Sequence, residues 1–381
     1  MKYGAGAEKI AASLANELKD KYEVTLLTFY TNDKEYDLDN EITRINFNEK
    51  LNKNIFSKIY FAIARIVKIR SLIKNKNFDY KVSFIDEANY FLILSTLLSK
   101  HNTNLYPSIH AMEVTWRRKK VGPILLGRST KTIVISKQME KLYSKLGYKH
   151  LKVIYNLHYV SQYLARSEKN IDSSFSKWKD GKIRFVNVGR MTYAKAQWHV
   201  IKSFYLFSKS HPEAVLLILG EGMYREQLKK LVLSLGLEDR IFMPGVQENI
   251  FPFLRHAHAT LIGSYTEALP NIIIESLAVG TPILSTDCVS GPREIIAPEL
   301  DLDERVEYPY KNSYGILVKS FTRNVDFSSD VSIEEDQYAD AMREILKMNF
   351  DPDELRERGM FFDSSLIMPQ WFELFEESKN K

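Results

Sequence analysis

The stretch ATLIGSYTEALPNIIIESLAVG, Ala259 to Gly280, reads as a strand, a loop and a helix in that order. Ala259 to Ser264 is a short apolar run of the kind a buried strand needs. Pro270 suits the first turn of a helix, and Ile272, Ile273 and Leu277 recur at helical spacing. Glu267 then lies in the loop and Glu275, eight residues on, on the second helical turn. A helix N-terminus behind a strand presents N–H groups and the positive end of the helix dipole, which suits a phosphate. Carboxylates beside it accept hydrogen bonds from sugar hydroxyls, so the segment points to a nucleotide-sugar pocket. The macrodipole by itself also favours glutamates near helix starts, and the pair therefore needs partners elsewhere in the chain.

Outward from this segment, strand and helix patterns alternate along the chain. Apolar runs fall at Val24 to Tyr30, Ile42 to Phe47, Tyr80 to Ile85, Leu105 to His110, Thr132 to Ser136 and Leu151 to Tyr155. The rhythm repeats at Ile183 to Val188, Ala214 to Leu219, Arg240 to Met243, Ala259 to Ser264, Pro282 to Thr286 and Gly315 to Val318. Two such series predict an α/β protein of two doubly wound, Rossmann-like domains with parallel sheets covered by helices. The expected divisions are an acceptor-binding N-terminal domain over 1–165, a nucleotide-sugar-binding C-terminal domain over 166–350, and a helical segment over 351–381 whose Trp371, Phe372 and Phe375 need a partner surface and which is expected to pack back towards the N-terminal domain. The polar stretch Ser167 to Gly181 reads as the linker, and the cleft between domains as the expected active site. Asp301 to Glu307 and Asn324 to Asp336 read as loops or insertions. Gly4, Gly6 and Glu8 open a helix pattern with no strand ahead of them, so the expectation is a sheet whose first N-terminal strand is missing.

At 381 residues and 45% apolar, the chain is long enough for two cores. Its longest apolar stretch, Tyr90 to Leu98, falls short of the ~20 residues that span a bilayer, and no charged-then-apolar leader opens it. The single cysteine, Cys288, has no disulfide or metal-ligand companion, which predicts a reducing, cytoplasmic setting. Charge is uneven. Residues 1–160 hold 27 Lys and Arg against 15 Asp and Glu, +12, and the remainder 26 against 33, −7. The excess concentrates in Lys53, Lys58, Arg65, Lys68, Arg70, Lys74 and Lys76, interleaved with Ile55, Phe56, Ile59, Tyr60, Ile63, Ile66 and Val67, and again in Arg117 to Lys120. Such a helix either lies on an anionic membrane surface, peripheral to its inner face, or buries its apolar face in the domain core. No nucleic-acid motif accompanies the charge, and nucleic acid is not an expected partner.

The order of motifs resembles the family 4 glycosyltransferases, retaining enzymes of the GT-B fold. The pieces are Gly4-Ala-Gly-Ala-Glu8, Val188-Gly-Arg190 with Lys195, Leu219-Gly-Glu-Gly222, Phe242-Met-Pro-Gly245, Glu267 with Glu275, and Gly280-Thr-Pro-Ile-Leu-Ser-Thr-Asp287 leading into Ser290-Gly-Pro-Arg-Glu294. The resemblance implies that Arg190 and Lys195 neutralise a donor diphosphate, that Glu267 holds hydroxyls of the transferred sugar, and that Glu275 holds those of the ribose. It implies further that His110 contacts the donor sugar, and that Gly6, Gly189, Gly222 and the backbone of Leu269, Pro270, Asn271 and Ile272 approach the donor. An arginine–lysine pair at a strand end can stabilise a leaving diphosphate without a metal, so no cofactor and no essential metal are expected. Asp37-Leu-Asp39 and Asp301-Leu-Asp303 match a metal-binding D-x-D pattern but sit in polar, acidic stretches. Ala196 and Ala268 stand where the family pattern has glycine, which strains the loop if either backbone takes positive φ.

The implied activity is transfer of a hexosyl unit from a nucleotide sugar, a UDP-sugar first, to a lipid-linked or polysaccharide acceptor. Two other functions fit the same motifs. A UDP-sugar epimerase would convert its donor without acceptor, and a non-catalytic nucleotide-sugar or membrane-surface binding subunit would bind UDP without turnover.

Overall fold

The computed structural model describes residues 6–30, 38–47, 55–97, 103–113 and 115–379. The chain forms two compact units, one of residues 1–157 with 364–381, the other of residues 158–363. Both are α/β with parallel sheets.

In the first unit β1 (Thr25–Thr28) pairs in parallel with β2 (Thr43–Asn46). A four-stranded parallel sheet runs in the order β3 (Lys81–Phe84), β4 (Leu105–Ile109), β5 (Thr132–Val134), β6 (Leu151–Val153). β4 and β5 are buried along their whole length, as parallel strands covered on both faces require. The helix Gly6–Leu18 brings Leu14 and Leu18 onto a core of Tyr106, Ile133 and Ile154. The last helix, Ser364–Lys379, enters the same core through Trp371, Leu374 and Phe375, and Phe375 stacks on Tyr80 at 4.5 Å between ring centroids. The expected absence of a first strand falls on residues 1–5, outside the described residues.

The helix Ile55–Lys76 turns its faces the other way from an ordinary amphipathic helix. Arg65, Ile69 and Ile73 are buried, whereas Ile59, Tyr60, Ile63 and Val67 are exposed. Burial of Arg65 is compensated: its guanidinium pairs with Glu87, donates to the Tyr30 hydroxyl at 2.5 Å and lies over the Phe29 ring at 4.7 Å.

The second unit holds β7 (Ile183–Val188), β8 (Ala214–Leu219), β9 (Ile241–Gly245), β10 (Ala259–Ile262), β11 (Ile283–Thr286), β12 (Tyr310–Asn312) and β13 (Gly315–Val318) in one sheet. Their spatial order is β12-β13-β11-β10-β7-β8-β9. The chain winds outward from β7 through β8 to β9, then returns to lay β10 against the other side of β7 and winds outward again. The order reverses between β7 and β10, and ligands of such sheets bind outside the carboxyl ends of the strands at that reversal.

Three sequence expectations are corrected here. Ser167 to Gly181 is not a linker, because its polar exterior covers a docked turn. Trp178 is fully buried and donates its indole N–H to the Phe185 carbonyl at 3.1 Å, and Phe175 meets Phe253 at 4.8 Å. The chain instead passes between units at 157/158 and 363/364, so neither the 165/166 boundary nor a single 351–381 segment holds. On the second unit's side both passages are tied together: the Asp363 carboxylate accepts the Val160 N–H at 2.9 Å. The helix Pro352–Met360 stays with the second unit, where Gly359 lies so close to Ala278 that a Cβ would come 2.8 Å from its backbone nitrogen. Finally, Asn324 to Asp336 is not all loop. Ser332 and Glu335 form a reciprocal capping box that starts the helix Ile333–Ile345. The antiparallel edge strand β12 was not expected, since three residues of Tyr-Lys-Asn carry no apolar run.

Candidate active site

The loops after β7, β8, β10 and β11 meet at the carboxyl edge of the second unit's sheet. After β7 come Gly189 and Arg190, then a tight turn Tyr193–Lys195, then Ala196, then the helix Gln197–Ser208. After β10 come Gly263 to Pro270 and the helix Asn271–Ala278. The two loops are stitched together by the Tyr265 N–H donating to the Ala194 carbonyl at 2.9 Å. Across this stitch the Lys195 ammonium pairs with the Glu267 carboxylate, and the Ser264 hydroxyl donates to the same carboxylate oxygen at 2.6 Å. Their side chains are 24% and 10% exposed, so the pair is held at the surface of the edge and not sealed inside it.

Arg190 is exposed, and its guanidinium makes no ion pair or hydrogen bond with the described residues of its unit. Its carbonyl accepts the Gln197 side-chain amide at 3.1 Å, which fixes the backbone while leaving the cation free to reach outward. The helix Asn271–Ala278 has Pro270 at its N-cap position, one residue earlier than the first-turn placement expected, and no side chain caps it. The Ile273 N–H donates to the Pro270 carbonyl at 2.9 Å, and the helix start carries the positive end of the dipole, which favours an anion. Glu275 is half-buried on this helix, close enough to the Tyr163 phenol that its charge, after burial, holds the tyrosine pKa up. Two cations, a helix N-terminus and two carboxylates on one sheet edge can hold an anionic diphosphate at one side and sugar hydroxyls at the other.

The glycines of these loops have distinct reasons. A Cβ at Gly220 would strike the Gly189 carbonyl oxygen, and one at Gly222 would strike the Met191 backbone. Gly222 is therefore required for the close approach of two protein loops, sealed by the Met191 N–H donating to the Glu221 carbonyl at 2.9 Å. Gly189 faces the aliphatic stem of Lys195, whose Cδ and Cε lie 3.5 Å from a Cβ built there. Of the two departures from glycine, Ala196 adopts the left-handed region at φ 46° and ψ 42°, while Ala268 does not take positive φ.

Two supports of the site had no role assigned from the sequence, although the first was quoted as a motif. The first is the loop after β11: Thr286 Oγ1 donates to the Ser264 carbonyl at 2.7 Å, the Ser290 hydroxyl to the Ala268 carbonyl at 2.9 Å, and Gly291 at φ 87° packs on Pro270 where a Cβ could not fit. Asp287 anchors that loop by accepting from Arg293 at 2.5 and 3.0 Å and from the Tyr308 hydroxyl at 2.7 Å. Cys288 lies just beneath. Burial first, then the Glu267 charge, pushes its thiol well above the usual range. The second support is a buried cluster in which His199 contacts Glu335 through Nδ1 and the Tyr265 hydroxyl through Nε2, both at 2.7 Å, with the ring stacked on Phe321. The Ser264-x-x-Glu267 spacing was a readable signal for the hydroxyl that orients the carboxylate. The Tyr265 to His199 contact, 66 residues apart in sequence, had none.

His110 and Gly6 belong to the first unit. His110 follows β4, accepts from or donates to the Ser108 hydroxyl through Nε2 at 2.9 Å, and packs its ring 5.3 Å from that of Phe84. Burial lowers its pKa to about 4, so it is neutral at physiological pH. Ser108 is in turn held from below, its carbonyl accepting the buried Asn89 amide at 2.8 Å. Gly6 is the first residue of the helix Gly6–Leu18. Of the two D-x-D tracts, Asp37 lies outside the described residues, Asp39 is tied to Lys19, and Asp301 is exposed, its N–H donating to the Glu304 carboxylate at 3.1 Å. Among the described residues no three His, Cys, Asp or Glu side chains converge as a metal site.

Comparison with known proteins bears on the family and the fold. The family model described as Glycosyltransferase Family 4 matches residues 4–157, and that described as Glycosyl transferases group 1 matches residues 168–302. An uncharacterized glycosyltransferase of Methanocaldococcus jannaschii is 30% identical over 93% of each chain. An α-1,4-N-acetyl-D-galactosaminyltransferase of Campylobacter jejuni, named for an undecaprenol-diphosphate-linked glycan, is 24% identical over 98% of this chain and 96% of its own. Among solved structures, Anabaena HepE in complex with UDP superposes with a TM-score of 0.72 at 16% identity, covering 99% of this chain and 98% of its own. Sucrose-phosphate synthase from Thermosynechococcus elongatus does so with a TM-score of 0.74, also at 16% identity, over 98% and 94%.

Proposed function

The chain belongs to glycosyltransferase family 4 and has the GT-B fold, and on that footing we propose that it transfers a hexosyl unit from a UDP-sugar to a lipid-linked or polysaccharide acceptor with retention of configuration. The observation that carries the reading is the meeting of Arg190, Lys195 and Glu267 with the uncapped helix of Glu275 at the β7/β10 reversal. The uridine preference draws on UDP bound to HepE, and the acceptor class on the glycan named for the Campylobacter relative.

In the proposed reaction the bond from the sugar C1 to the diphosphate oxygen breaks and one from the acceptor oxygen to C1 forms on the same face. The acceptor proton passes to the departing diphosphate. Arg190 and Lys195 meet the charge that develops on that leaving group, and the N–H groups of the Asn271–Ala278 helix add their dipole. Glu267, oriented by Ser264, accepts hydrogen bonds from the sugar, and Glu275 from the ribose. Neutral His110 offers the sugar a donor or an acceptor without adding charge. No resident metal is required, since the two side-chain cations do its electrostatic work. The acceptor is presented at the cytoplasmic face of an anionic membrane, to which the basic first unit is drawn.

The test is turnover of Lys195→Ala. Loss of one group that meets transition-state charge lowers kcat by about a hundredfold or more, while the thermal midpoint moves by only a few degrees because Ser264 still holds Glu267. Unchanged turnover sinks the assignment. Turnover in excess chelator equals that without it, and NMR of the product shows the donor's anomeric configuration.

A further inference from the structure

His199, on the helix Gln197–Ser208, and Glu335, at the start of the helix Ile333–Ile345, are buried beneath the loop after β10, and neither takes part in the transfer chemistry described above. Their contacts fix where hydrogens must lie. The Tyr265 hydroxyl is 2.7 Å from the Asn324 carbonyl oxygen and 2.7 Å from His199 Nε2, and it has one hydrogen to give. A carbonyl has none, so at 2.7 Å the hydroxyl hydrogen belongs to Asn324 and Nε2 must supply its own. The Asn324 N–H, at 3.1 Å, is a further donor and fills the remaining lone pair of the hydroxyl. Burial first pushes the Tyr265 phenol up to about 12, so the hydroxyl keeps its hydrogen. On the other side of the ring, Nδ1 lies 2.7 Å from Glu335 Oε1, while Oε2 of that carboxylate accepts the Ser332 N–H at 2.6 Å. The Lys202 ammonium, buried 4.0 Å from Oε1, favours the ionised carboxylate, which accepts and cannot donate. Nδ1 must then carry a hydrogen as well.

The surrounding charges agree with this count. Lys202 pairs with Asp326 at 2.6 Å, and that contact holds the Asp326 carboxyl down to about 2. Glu334 accepts from the Thr322 N–H and hydroxyl at 2.7 and 2.9 Å, and Arg323 donates to the Tyr265 carbonyl at 3.2 Å. The Glu335 carboxylate, 2% exposed, is thus left with only a distant share of a cation that Asp326 already holds, a costly state unless the ring beside it is charged.

We propose that His199 is a positioning residue held as an imidazolium, whose two ring hydrogens clamp Tyr265 to the helix Ile333–Ile345 and so set the Lys195 to Glu267 pair. Loss of either hydrogen places two acceptors 2.7 Å apart, at Glu335 or at Tyr265. Tyr265 can answer only by turning its hydrogen from Asn324 to Nε2, which sets its oxygen against the Asn324 carbonyl. The Tyr265 backbone N–H, which makes the stitch to Ala194 beside Lys195, then loses its anchor. The count of hydrogens stands without the transfer reading; the effect on turnover rests on it.

Two-bond 1H–15N correlation of the full chain, grown with ring-15N histidine and with His199 assigned by its loss in His199→Gln, tests the clamp without substrate. At pH 8, where a histidine near the ordinary value of about 6.5 is neutral, both His199 nitrogens show the shifts of hydrogen-bearing nitrogens. Glu335→Gln supplies an amide that donates to Nδ1 and still accepts the Ser332 N–H, so its His199 keeps a hydrogen at Nε2 alone. Kinetics read the positioning role. As pH rises through the range in which the wild-type ring loses a hydrogen, kcat falls roughly tenfold while KM for the donor changes less. Glu335→Gln lacks that fall, and His199→Gln has the lowered kcat at every pH. A wild-type Nε2 without hydrogen at pH 8 overturns the proposal, as does wild-type kcat in His199→Gln or the wild-type alkaline fall in Glu335→Gln. Both ring hydrogens present in a chain that transfers no sugar would refute the catalytic reading alone.

Discussion

Ala196 holds a left-handed backbone that costs an L-residue about 1–2 kcal/mol, and its methyl group is fully buried, worth about 0.8 kcal/mol. The first term exceeds the second by a small margin. Ala196→Gly is therefore expected to raise stability by up to about 1 kcal/mol in chemical denaturation, and a clear loss would show that the methyl packing dominates. His110 titrates in the opposite sense from a histidine that gains an acidic partner. Its folded pKa of about 4 lies below the ordinary 6.5, so the unfolded chain takes up the proton first. The stability that a neutral His110 permits is present above pH 6.5 and is lost as pH falls towards 4. His110→Gln, neutral throughout, should show a shallower decline of stability over that window; a parallel decline would show that other groups govern it. Cys288, buried with its thiol pKa held up, should resist alkylation of the native chain at neutral pH and react once unfolded.

At the scale of elements, the site rests on how two loops are braced and not on the loops themselves. Glu335 caps its own helix by accepting the Ser332 N–H at 2.6 Å and also holds His199, which reaches the Tyr265 hydroxyl two residues before Glu267. The same hydroxyl accepts the Asn324 N–H at 3.1 Å and donates to its carbonyl at 2.7 Å. Tyr265→Phe leaves these buried groups short of a partner and is expected to cost about 1–3 kcal/mol. Turnover should fall with it, since the hydroxyl anchors the residue whose backbone N–H makes the stitch to Ala194 beside the Lys195 to Glu267 pair; a melting curve beside a kcat measurement checks both. Strands and helices of this kind were legible in the sequence wherever one continuous apolar run made the element. β8, with all six residues buried, is the plainest case. Elements failed to show where burial came from single residues, as with Trp178 under a polar turn, or where a strand was too short and polar to carry a pattern, as with β12.

Over the whole molecule, two units joined by two passages of chain need not unfold together. Saturating UDP is expected to slow amide exchange in the loops after β7 and β10 of the second unit and to raise the melting temperature, by a stabilisation of about 2.7 kcal/mol at a hundred times Kd. Stabilisation by GDP and not UDP would overturn the choice of base. Of the candidate site, the placement of Glu267 in a loop and Glu275 on a helix could be read from local spacing, whereas Arg190, Lys195 and the glycines were named through the resemblance, whose short motifs sit at strand ends and helix starts. The alternation of apolar runs likewise determined two α/β units, because a parallel strand must be hydrophobic on both faces. What the tertiary structure alone decided is contact across long separations. It paired Lys195 with Glu267, set His199 beneath Tyr265, gave Gly222 to the packing of Met191, and turned the apolar stripe of the Ile55–Lys76 helix outward by burying Arg65. Periodicity names a helix face, but only a partner with the right charge and rings, here Glu87 and Phe29, determines which face turns in.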